Sequence, residues 1–222
     1  MALRVSHKRA TLSVRYATVL FPFDVTKLLR LLPSLGYILP DEVEGPLSRG
    51  FKVESSDGLA ARRMNTVLRL HTRSLTLAVE SPDISSCVDE LTRIESLLQT
   101  ELEVNNPELS SFYELVADFV ANAEKSPLEA WRTQLADVPV IAKLSKVVGR
   151  DLSAYGLRLT PTNSIPNQEN WLDIRIEPQV LAPHREHLIH VIFRDCNRDE
   201  VERFARALET TLEQIVSLVE EQ

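Results

Sequence analysis

Glycine is scarce in this chain, with six residues among 222, against a usual share of about 7%. A sequence so poor in glycine has little material for phosphate-cradling loops, and no dinucleotide fingerprint, nucleophile elbow or zincin motif occurs in it. Cysteine is scarcer still, limited to Cys87 and Cys196. Two thiols build no disulfide framework and suit a reducing compartment. Long apolar runs are also missing. The longest stretches without Asp, Glu, Lys or Arg, Leu31 to Pro40 and Leu159 to Gln168, hold ten residues each, whereas a membrane-spanning helix needs about 18 or more. The opening Met-Ala-Leu-Arg carries no apolar core of a secretion signal. These absences predict a cytoplasmic protein with no membrane partner, no cofactor and no catalytic residue set. What remains, 44% hydrophobic and 26% charged residues, is the make-up of a globular protein.

Positive charge is in deficit. The net charge is -7 and uneven, with 13 basic and 14 acidic side chains in residues 1–111 against 12 and 18 in residues 112–222. A pI of about 5.3 disfavours duplex nucleic acid, whose binding draws on phosphate neutralisation. The densest basic cluster, Arg4, His7, Lys8, Arg9 and Arg15, reads as a solvated terminal segment.

Against these deficits stands an internal duplication. Gly50-Phe51-Lys52-Val53 and Gly156-Leu157-Arg158-Leu159 share a pattern at an offset of 106, as do Val67-Leu68-Arg69-Leu70 and Asp173-Ile174-Arg175-Ile176. The offset then becomes 114, matching Leu75 to Val79 with Ile189 to Phe193, and Ile94 and Leu98 with Leu208 and Leu212. Such self-matching is the mark of a repeated unit. Leu172, Ile174 and Ile176 alternate with polar residues, as in a half-buried strand. Val88, Leu91, Ile94 and Leu98, and likewise Val201, Ala205, Leu208 and Leu212, recur at helical spacing, with Ser86 and Asn197 as expected caps. Each copy is therefore expected to be three antiparallel strands and a long helix.

Residues 1–104 are expected to form one α+β half, in which a strand over Thr11 to Phe23 and a helix from Asp24 to about Leu35 precede the module. Residues 105–222 are expected to form the other, opening instead on helices, from capping boxes at Ser111 to Glu114 and Ser126 to Glu129 and the stripe Phe112, Leu115, Val116, Phe119, Val120. Neither half buries enough sheet alone, so the predicted fold is α+β, with antiparallel sheet covered by helices in one pseudo-symmetric unit. In architecture alone this resembles the duplicated saddle of the TATA-binding protein; no motif carries a function across.

Chemistry-bearing patterns are few. Gly45 to Gly50 has Walker-like glycine spacing, but Phe51 stands where the lysine belongs and Lys52 comes one place late, which favours a turn leading into a strand. His184 and His187 offer a zinc site only if the strand begins after His187. Cys87 and Cys196, near the starts of the long helices, read as buried thiols. The outward sheet face is the richest constellation: Trp171, Arg158, Arg175, Asp173, His190 and Arg194, with Lys52 and Arg69 at matching places in the first copy. An exposed Trp171 among arginines suits protein contacts or base stacking. The leading expectation is a non-enzymatic interaction or assembly protein, a homo-oligomer or a subunit with a protein partner. The alternatives are a binding module for an anionic small molecule or single-stranded nucleic acid on that face, and a zinc-dependent hydrolase.

Overall fold

The computed structural model describes residues 4–51, 58–162, 165 and 168–220. In chain order its elements are β1 (Arg4–Tyr16), α1 (Val25–Leu31) running into a 3-10 turn (Leu32–Leu35), α2 (Asp41–Ser48), β2 (Gly58–Arg63), β3 (Thr66–His71), β4 (Thr76–Ser81) and α3 (Ile84–Leu102). There follow α4 (Asn106–Leu109), β5 (Ser110–Asn122), α5 (Pro127–Gln134), α6 (Pro139–Val148), β6 (Leu157–Leu159), β7 (Trp171–Pro178), β8 (Glu186–Asp195) and α7 (Arg198–Glu220). The fold is α+β. All eight strands among the described residues join one antiparallel sheet in the order β2-β3-β4-β1-β5-β8-β7-β6.

The seam of that sheet is the pairing of β1 with β5, from Arg4 opposite Asn122 to Tyr16 opposite Ser110. This corrects the reading of residues 111–120 as helix. Phe112, Leu115, Val116, Phe119 and Val120 satisfy a helical period, but Tyr113, Leu115, Ala117, Phe119 and Ala121 also satisfy a period of two, and these five are the most deeply buried, each at most 1% exposed. Pairing on both sides, to β1 and β8, supplies every backbone partner a central strand needs, and that long-range gain decides between two local patterns. Ser111 to Glu114 is thus no capping box, and the second half opens on the one-turn α4 and a strand. Ser126 does cap α5, its side chain accepting from the Glu129 amide.

Other local expectations also shift. The first strand ends at Tyr16 rather than Phe23, where Tyr16, Phe21 and Phe23 pack as a ring cluster. Residues 45–48 are the end of α2, begun by Asp41, Glu42 and Glu44 at the positive end of its dipole, and Gly50 follows at φ 81°. The Walker-like spacing is therefore a helix end, and a strand beginning at Gly50 would fall largely on Lys52 and Val53, outside the described residues. Helix α3 is capped by Asp83, which accepts from the Ser86 amide, so Ser86 is not the cap. Asn197 does cap α7, through the Asp199 amide.

Register does not keep the offsets that the sequence matching gave. Leu68 lies opposite Val79, and Ile174 opposite Val191. Matching Leu68 with Ile174 therefore matches Val79 with Val191, an offset of 191 - 79 = 112 in place of 114. A slip of two residues preserves the face, which is why the alternation pattern could not detect it.

Helices α3 and α7 pack over β4 and β1 and over β5 and β8 respectively. Beneath them lie Leu12, Leu77, Val79, Leu115, Phe119, Ile189 and Val191, among the most buried residues. A polar chain ties the layers together. The Tyr16 hydroxyl donates to Asn106 at 3.0 Å, the Asn106 amide to Glu95 at 3.1 Å, and Arg198 Nε of α7 to Glu95 at 2.6 Å. Lys8, on the same face, pairs with both Glu209 of α7 and Asp83.

Candidate functional site

The face opposite α3 and α7 carries charge in registered rows. One row runs Arg9, Asp118, His190, Arg175, Arg158 across β1, β5, β8, β7 and β6. A second runs Arg69, Ala78, Ser13, Glu114, Arg194, Trp171 across β3, β4, β1, β5, β8 and β7. Between them Thr11, Val116, Ile192 and Asp173 are aligned. Neighbouring strands lie about 4.8 Å apart, so side chains in a row are direct neighbours.

Most of these charges are matched. Arg69 Nε and Arg9 Nε each lie 2.9 Å from Glu80, and although burial works against its ionisation, the two guanidiniums hold the Glu80 carboxyl below the usual range. Arg194 Nε donates to Glu114 at 2.8 Å, and its guanidinium sits 4.2 Å from the centre of the Phe112 ring, which Arg15 approaches at 5.5 Å. His190 lies 2.6 Å from Asp118. Arg158 grips Asp173 at 2.5 to 3.2 Å, and that carboxylate raises the guanidinium's affinity for its proton. Arg175 is exposed and directly faces Arg158, and it makes no ion pair among the described residues.

Trp171 is placed otherwise than the sequence suggests. It lies on the expected face but is 6% exposed. It follows the bend at Gln168–Asn170, which is held onto the sheet where Arg194 donates to the Gln168 carbonyl at 3.2 Å and Ser111 to Glu169 at 3.1 Å. Its ring is packing material, unavailable to a partner. Lys52 lies outside the described residues. The proposed equivalence of Lys52 with Arg158 also fails in register, because Arg158 is opposite Arg175 whereas the residue opposite Arg69 is Leu59. The sequence reading missed Arg9, Asp118, Glu114 and Phe112 as members of this face. The last three sit on β5, and reading that segment with a period of two would have found them.

The histidine turn separates its two members. His184 is exposed, its Nδ1 2.8 Å from the Ser126 hydroxyl. His187 belongs to β8 and is fully buried, its Nε2 3.0 Å from Glu220. The strand begins at Glu186, so the condition for a shared zinc site is not met. No group of three or more His, Cys, Asp or Glu side chains is arranged to hold a metal ion among the described residues. Cys87 is buried with its thiol pushed up to about 12 by desolvation. Cys196 is exposed, correcting its reading as buried, because it lies in the bend before α7. No helix among the described residues is long and apolar enough to cross a membrane.

No protein-family model matches the chain, and no curated protein matches it.

Proposed function

We propose that this is a non-enzymatic interaction protein that associates with itself, built from two copies of one βββα unit joined along β1 and β5. The observation that carries the reading is helix α6. It is the one α-helix of the seven described that buries none of its residues, yet Val140, Leu144, Val147 and Val148 are 53%, 48%, 83% and 55% exposed. A contiguous apolar helix face in water marks a contact surface. Sedimentation velocity over a range of concentrations tests the reading. The expected result is a concentration-dependent oligomer, and a monomer at the highest concentration overturns it.

A second reading is favoured by Arg175. Two arginines directly opposite each other, here on the edge strand β6 and its neighbour β7, repel. Arg158 is drawn to Asp173, which leaves Arg175 as an exposed cation beside His190. Such a corner suits an anionic small molecule or a single-stranded nucleic acid. Titration at low salt with nucleotides and labelled oligonucleotides is expected to show binding that Arg175→Ala weakens more than about fivefold. Unchanged affinity removes this reading.

A further inference from the structure

Helix α6 presents Val140, Leu144, Val147 and Val148 on one face. Its only charges are Lys143 and Lys146, with Asp137 before it and Arg150 and Asp151 after it. Elsewhere in the molecule an open cleft of about 480 Å³ is lined by Pro33, Tyr37, Leu39 and Leu47, by Ile38, which is 74% exposed, and by Arg30, Glu44 and Ser48. Its wall, α2, begins with the exposed acids Asp41, Glu42 and Glu44. One surface is thus an apolar ridge flanked by lysines, and the other an apolar hollow flanked by carboxylates.

The two cannot meet within one molecule. The cleft adjoins β2, to which Ile38 bridges through Arg62, and β2 is one edge of the sheet. Helix α6 follows α5, which is anchored by buried Trp131 and packed on α7 and β7, and it precedes β6, the other edge. Seven inter-strand spacings of about 4.8 Å separate those edges by roughly 34 Å.

We infer that α6 of one copy docks in the cleft between α1 and α2 of a second copy, Lys143 and Lys146 meeting Asp41, Glu42 and Glu44. This rests on the self-association reading and assigns its surfaces. The contact joins unlike patches, so it closes into a dimer if made reciprocally and extends into chains if not.

Sedimentation velocity of the full chain tests the docking with Val147→Asp, which damages the ridge, and Ile38→Asp, which damages the hollow. Both positions are largely exposed, 83% and 74%, and circular dichroism of each variant is expected to match the parent. Each variant alone is expected to lose association by at least about tenfold. An equimolar mixture is expected to regain it, because each variant keeps the surface the other lacks, and this contact is expected to weaken with added salt. If the parent associates and neither variant changes that, or only Val147→Asp does, or the mixture stays monomeric, the docking is overturned while self-association stands. A monomeric parent overturns both readings. If that monomer binds vesicles containing phosphatidylserine and Val147→Asp abolishes the binding, the ridge belongs to a lipid surface instead.

Discussion

His187 is fully buried on the helix side of β8, with Nε2 against Glu220 and Nδ1 without a hydrogen-bond partner among the described residues. Burial lowers its pKa, and the attraction of Glu220 only partly opposes that. A protonated ring would bury an unpaired N–H, so the folded chain holds this histidine neutral. As pH falls below the unfolded value of about 6.5, the unfolded chain takes up a proton that the folded chain refuses, and stability declines until the lowered folded value is reached. His187→Gln keeps a donor for Glu220 and removes the titration. Denaturant midpoints between neutral and mildly acid pH are expected to fall less in this variant than in the parent. Trp171 is the second case. Were it a contact anchor, its removal would cost binding and spare the fold. Buried as it is, Trp171→Ala is expected to cost about 3 kcal/mol or more of stability in urea denaturation.

At the scale of elements, the edge pair β6 and β7 is held by close backbone approach. A Cβ on Gly156 would stand 2.6 Å from the Ile176 carbonyl oxygen and 2.9 Å from Glu177 Cα, distances that only backbone movement relieves. Gly156→Ala is therefore expected to destabilise by about 1–3 kcal/mol and to loosen β6, seen as faster amide exchange at Leu157 and Leu159. Legibility at this scale followed the competition between patterns. Strands β3 and β7 and the long helices were readable because each has one buried face and one polar face. Strand β5 was not, because it is apolar at 112, 113, 115, 116, 117, 119, 120 and 121, which serves either period. Helix α6 has an apolar stripe at Val140, Leu144, Val147 and Val148 that the sequence reading did not single out, and a sequence does not say whether a stripe is covered.

For the molecule as a whole, the consequence of the β1–β5 seam is that neither half is closed without the other. Residues 1–104 alone would expose β1, a long central strand, as a bare edge. That fragment is expected to aggregate or to stay unfolded, as judged by circular dichroism and light scattering, while the intact chain unfolds in one transition. A stably folded monomeric fragment would mean that the seam joins independent domains. The charge of the whole is distributed to the same effect. Among the described residues, an acidic chain places seven arginines on the sheet face opposite the long helices, Arg9, Arg15, Arg62, Arg69, Arg158, Arg175 and Arg194, but meets most of them with carboxylates from neighbouring strands.

The sequence by itself determined the fold class, the long helices, and the face to which Arg158, Asp173, Arg175, His190 and Arg194 belong. Those properties follow from local period, which folding preserves. Only the tertiary structure decided that residues 110–122 are a central strand, that Trp171 is packed away, that Arg158 is neutralised while Arg175 makes no ion pair among the described residues, and that α6 buries none of its residues. Each of these depends on which distant segments become neighbours. Partner strands supply the hydrogen bonds and counter-charges that one stretch of chain cannot provide for itself.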